Sequence, residues 1–140
     1  MVQKKTTSNL NKALVGSLLF LIVFFSNSLL AETELTTNDN IYTKKQAKSG
    51  ESLYKDHCLL CHDKKYFRPV FKAWEGQSLG TFFLIMNASM PESNPGSLTT
   101  KEYIDIMAYM LSLNRYASGE QELSAASETL NLITIASRKR

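Results

Sequence analysis

Cys58 and Cys61 are the only two cysteines in the 140 residues, and they stand in "CLLCH" with His62 directly behind. Two thiols and an imidazole at this spacing could serve three chemistries: a redox dithiol, half of a zinc site, or the two thioether anchors of a c-type haem with His62 as its iron ligand. Cysteines this close make a poor structural staple, because the loop they would close is short. A redox dithiol more naturally accompanies a strand–helix unit, and nothing before Cys58 reads as a strand. A zinc finger or ribbon needs a second ligand pair, and the other histidine, His57, is adjacent to Cys58, where one metal could hardly take both. The end of a helix meets the haem requirement: thiols about one turn apart and the imidazole in the next position. One covalently attached haem c per chain is the expected cofactor.

A second axial ligand could come from Met86, Met90, Met107, Met110 or His57. His57 is tethered to the same segment as His62 and cannot swing to the opposite face of the ring. Met86, Met107 and Met110 fall in helical apolar stripes, where methionine is usually core filling. Met90 lies in the loop "ASMPESNPGSL", directly before Pro91, whose fixed φ stiffens the segment. Met90 is the expected ligand opposite His62, Met86 the next candidate, and an open sixth position the remaining alternative.

These residues need helices to place them. Thr43 with Gln46 three places on fits a capping box and starts a helix near Lys44 that runs to the cysteines, with Gly50 inside it at a cost of about 1 kcal/mol relative to alanine. The stretch "DKKYFRPVFKAWEGQ" reads as irregular, dense in aromatics and punctuated by Pro69 and Gly76. Ser78 as N-cap predicts a second helix to about Asn87, with Leu79, Phe82, Phe83 and Met86 on its apolar side. Leu98, Thr99, Glu102 and Tyr103 combine a capping box with a hydrophobic staple, opening a third helix that ends near Asn114 and carries Tyr103, Ile106, Met107 and Met110 at helical spacing. Residues 118–140 form a C-terminal extension, with a short helical turn and an extended segment in "TLNLITIA" and a frayed basic end in "SRKR".

Residues 1–31 read as an export signal: Lys4, Lys5 and Lys12 without an acid, the apolar run "ALVGSLLFLIVFF", and a cleavage position after Ala31. An uncleaved anchor is the alternative, although the longest apolar reading, about 18 residues to Leu30, is at the low edge of a bilayer span. Removing these residues lowers 16 basic side chains to 13, equal to the 13 acidic ones, so the formal charge of +3 belongs to the signal. Nothing in the remaining charge argues for nucleic acid or an anionic membrane. Residues 32–40 are polar and without period, a flexible lead-in. Residues 41–117 are then one small haem-bearing domain, whose modest core the cofactor would fill.

The chain resembles class I cytochromes c, in particular small bacterial mono-haem cytochromes associated with quinoprotein dehydrogenases. The likeness rests on "IYTKKQAKSGESLYKDHCLLCH", "WEGQSLGTFF", "MPESNPGSL" and "EYIDIMAYMLSLN". It implies an all-α cytochrome c fold, three or more helices wrapped around one covalently bound haem, with Gly50 and Tyr54 of the first helix meeting Ile106 and Tyr109 of the last. It makes Cys58 and Cys61 the attachment points and His62 and Met90 the axial ligands. Pro69 would supply a backbone carbonyl that orients the His62 ring, and Trp74 would meet a haem propionate or anchor its loop. Two departures stand out: Asp63 where a glycine commonly follows the histidine, and a short interval from His62 to Met90, which implies an exposed haem edge. Lys64, Lys65, Arg68 and Lys72 form a basic cluster that would steer an acidic partner if it rimmed that edge.

The function implied is periplasmic one-electron transfer, not catalysis. The donor would be a quinoprotein or other periplasmic dehydrogenase, and the acceptor a cytochrome or terminal oxidase. There is no nucleic-acid partner, and a membrane contact only if the signal stays uncleaved. The alternative is a haem protein with an open or displaceable sixth site, acting as a small-ligand sensor or peroxidase.

Overall fold

The computed structural model describes residues 34–139; the expected export signal over residues 1–31 lies outside the described residues. Among the described residues five helices and one pair of two-residue strands follow one another as β1 (Leu35–Thr36), α1 (Lys44–His57), α2 (Phe67–Ala73), α3 (Leu79–Ser89), α4 (Thr100–Leu113), α5 (Ser127–Asn131) and β2 (Ile133–Thr134). The all-α class expected from the sequence is the observed one.

Short-range hydrogen bonding starts the three long helices. Thr43 caps α1 by accepting from Gln46 N at 3.0 Å, Ser78 caps α3 by accepting from Thr81 N at 3.0 Å, and at α4 both halves of the Thr99–Glu102 box form. The box expected at α1 is only half made. The Gln46 side chain turns inward, donating to the Leu123 carbonyl at 3.1 Å and accepting from Leu123 N at 2.8 Å, so it ties the C-terminal extension to α1.

α2 is a helix that the sequence reading left irregular. Pro69 occupies its first turn, where the missing N–H has no intrahelical acceptor to lose, so the proline permits the helix it was expected to break. Phe67 and Phe71 carry α2 into the core.

α4 is the axis of the body. Every residue from Tyr103 to Leu111 is buried, against the one-sided stripe expected, because α1 packs on one face while α2 and α3 reach it from elsewhere. The α1–α4 crossing is close. A Cβ on Gly50 would overlap the Asp105 carbonyl and stand 2.9 Å from Ile106 N, and the Tyr54 and Tyr109 rings meet edge-on at 5.3 Å. The Gly50, Tyr54, Ile106 and Tyr109 contact implied by the resemblance is therefore present.

Residues 34–40, the described part of the expected lead-in, are not a loose leader. β1 pairs in parallel with β2, Leu35 opposite Ile133 and Thr36 opposite Thr134. Thr37 is fully buried, its N–H on the Thr134 carbonyl at 3.0 Å and its hydroxyl accepting from Ala136 N at 3.1 Å. A polar segment without period can still order when its backbone groups find a partner strand. The extension buries Leu123, Leu130, Ile133 and Ile135, and a Cβ on Gly80 of α3 would overlap the Asn131 side chain, which would have to move. Among the described residues no helix is long and apolar enough to cross a membrane.

Candidate haem site

The motif grows out of the end of α1. Cys58 N and Leu59 N both bond the Tyr54 carbonyl at 2.9 Å, and His62 N then bonds the Cys58 carbonyl at 2.8 Å. One further hydrogen-bonded turn thus folds Cys61 and His62 back beside Cys58. Both thiols are free, Cys58 half-buried and Cys61 exposed.

Both cysteines and His62 line one cavity of about 830 Å³, within the range of roughly 300–1,000 Å³ typical of ligand and cofactor clefts. Its wall is mostly apolar: Phe67, Val70 and Trp74 from the α2 side, Phe82 and Met86 from α3, Ile106 and Met110 from α4. Met90 and Pro91 line it too. Met90 is the C-cap of α3 rather than a free loop residue: its N–H bonds the Met86 carbonyl at 2.8 Å, and its carbonyl accepts from the Tyr103 hydroxyl. The backbone of Met90 is therefore held from α3 and α4 together. Met86 and Met110 share the cavity, whereas Met107 is fully buried in the core and does not reach it. A more open groove of about 1060 Å³ between the start of α1 and the end of α4 contains neither cysteine nor histidine.

The imidazole of His62 lies against Tyr66 at 4.2 Å and Phe67 at 5.8 Å between ring centroids, and its Nδ1 is buried without a hydrogen-bond partner. The carbonyl expected from Pro69 does not reach that nitrogen; Pro69 is exposed in the first turn of α2, whose backbone is committed to the helix. Trp74 lines the cavity and meets Phe82 edge-on at 5.2 Å, an anchoring contact at the site's wall. Lys64, Lys65, Arg68 and Lys72 are exposed, but none of them lines the cavity; the acids that do are Asp56 and Glu92.

These features separate the three chemistries. Burial pushes the Cys58 thiol up to about 11, opposite to the depressed value that makes an attacking thiolate. Among the described residues no three His, Cys, Asp or Glu side chains converge as a metal cluster, so zinc lacks its second ligand pair. A porphyrin fits the residues present: a largely apolar cleft of suitable volume, two free thiols at its edge, and the imidazole of His62 beside them.

A helical body with Cys-x-x-Cys-His at the edge of such a cleft defines a c-type cytochrome domain. The family model described as cytochrome c oxidase, cbb3-type, subunit III, matches residues 45–110, from the second residue of α1 through the motif to Met110 of α4. Over those residues the chain is similar to c-type cytochromes, proteins of haem-based electron transfer. Comparison with curated proteins and with solved structures gave no match.

Sequence reasoning missed the Tyr103 bond to the Met90 carbonyl, the Tyr66 and Phe67 packing on His62, and α2 itself. An aromatic-rich stretch directly after the motif was the available signal for the last two.

Proposed function

We propose that the chain is an exported one-electron carrier and not an enzyme, with His62 and Met90 as axial ligands to a haem held through thioethers by Cys58 and Cys61. The observation that carries this reading is the convergence of those four residues on one apolar cavity, Met90 arriving from α3 and the other three from the end of α1. Haem bound there supplies reversible ferrous–ferric cycling. The chain's own contribution is to line the site with apolar and aromatic side chains; His62 and Met90 would hold the iron, and the soft Met90 sulfur would favour the ferrous state. By its resemblance to class I cytochromes c, the donor is a quinoprotein or other periplasmic dehydrogenase and the acceptor a cytochrome or terminal oxidase.

The test is an absorption spectrum of the purified protein and of Met90→Ala. The wild type should keep its colour after acid–acetone extraction, be low-spin in both oxidation states and bind carbon monoxide slowly. Met90→Ala should keep the haem, lower the potential and bind carbon monoxide rapidly. High-spin ferric iron in the wild type would favour a sensor or peroxidase, and an unchanged spectrum in Met90→Ala would move the ligand to Met86.

A further inference from the structure

The His62 ring is enclosed but has no hydrogen bond at Nδ1. The rings of Tyr66 and Phe67 limit its tilt, yet aromatic faces and edges slide over one another at small cost. Directional restraint enters through the backbone instead. Tyr54, fully buried at the α1–α4 crossing, donates its hydroxyl to the His62 carbonyl at 2.7 Å and shares it with the Asp63 carbonyl at 3.2 Å. With His62 N on the carbonyl of Cys58, the residue that caps α1, the peptide groups on both sides of His62 are fastened at the end of that helix.

Asp63 completes the frame. Its Oδ1 accepts from Lys65 N at 2.8 Å and Tyr66 N at 2.9 Å, a side-chain-closed turn that delivers Tyr66 and Phe67 onto the imidazole. Phe67 in turn packs edge-on against the Tyr54 ring at 6.0 Å. A phenylalanine at position 54 would make the same ring contacts with Phe67 and Tyr109 without burying a hydroxyl, which is costly unless bonded. The hydroxyl therefore has its use in the carbonyls it holds, and the departure at Asp63 has its use in the turn it closes.

We propose that Tyr54, through its hydroxyl, and Asp63, through its carboxylate, are positioning residues that set the plane of the axial imidazole, at a site where no acceptor holds the ring nitrogen. The proposal rests on the haem reading above.

The test compares holoproteins carrying Tyr54→Phe, Asp63→Ala, Asp63→Asn and Tyr109→Phe by haem-methyl proton shifts of the ferric state and by reduction potential. The methyl shifts report the orientation of the axial ring, which general loosening of the fold does not redirect. Tyr54→Phe and Asp63→Ala should load haem and redistribute the methyl shifts, with a displaced potential. Asp63→Asn keeps the acceptor oxygen and should match the wild type, as should Tyr109→Phe, which removes a neighbouring hydroxyl that holds neither carbonyl. An unchanged shift pattern and potential in Tyr54→Phe would overturn the proposal, as would Asp63→Asn changing as much as Asp63→Ala. If Tyr54→Phe does not load haem, the Asp63 pair decides. A colourless wild type would instead overturn the haem reading itself.

Discussion

Replacing Gly50 by alanine adds one methyl group where α1 crosses α4. An alanine Cβ would overlap the Asp105 carbonyl and stand 2.9 Å from Ile106 N, whereas ordinary contact begins at 3.4 Å. Both obstacles are backbone atoms of a helix buried along nine successive residues, Tyr103 to Leu111, so no side chain can rotate away and the helices must part. Parting them loosens the Tyr54–Tyr109 contact and the wall that Ile106 gives to the cavity. Overpacking of this kind typically costs 1–3 kcal/mol, and about 3 kcal/mol or more is expected against unyielding backbone. Alanine returns about 1 kcal/mol of helix propensity, which leaves a net loss of about 2 kcal/mol. For a domain near 100 residues that corresponds to a fall in Tm of roughly 10 °C. Thermal unfolding of the holoprotein followed by circular dichroism measures it. Gly76→Ala is the control, since nothing lies within 4 Å of its Cβ and only its positive φ of 85° opposes substitution. A Gly50→Ala protein as stable as the wild type would refute the close crossing and the packing argument built on it.

Gln46→Ala should cost about 1–3 kcal/mol, because it leaves the Leu123 N–H and carbonyl without their buried partner; urea unfolding measures the loss, and faster proteolysis of residues 118–139 would locate it. The acid limb of stability should depend on Glu51, whose carboxyl is drawn down to about 2 by its bonds to Lys48 and Lys55. A depressed folded value means that its contribution is present above the ordinary 4.5 and is lost as pH falls from there through about 2. Glu51→Gln should flatten that part of the pH–stability curve. An acid limb identical to the wild type's would show that the exposed ion pairs contribute nothing measurable.

Much of the helical framework is legible in the chain because its signals are short-ranged. Thr43, Ser78 and Thr99 each accept from the backbone N–H three residues on, and a reader of the sequence needs no tertiary information to see them. Cys58, Cys61 and His62 are likewise held by one local turn. Other features escape such reading for identifiable reasons. α2 has no side-chain cap, its Pro69 reads as a breaker, and its stability comes from Phe67 and Phe71 buried against distant elements. The basic cluster is conspicuous in sequence, but none of its side chains reaches the cavity, which Asp56 and Glu92 line instead.

By itself the sequence determined the Cys-x-x-Cys-His motif and the starts of the three long helices, all consequences of interactions within a few residues; the close approach at Gly50 came only from the family resemblance. Tertiary structure alone decided which partners the buried polar groups take: Gln46 with Leu123, Thr37 with Thr134 and Ala136, Tyr103 with the Met90 carbonyl, Tyr54 with the His62 carbonyl. The physical reason is that a buried donor must find an acceptor, and which acceptor lies within reach is set only when helices far apart in sequence have packed.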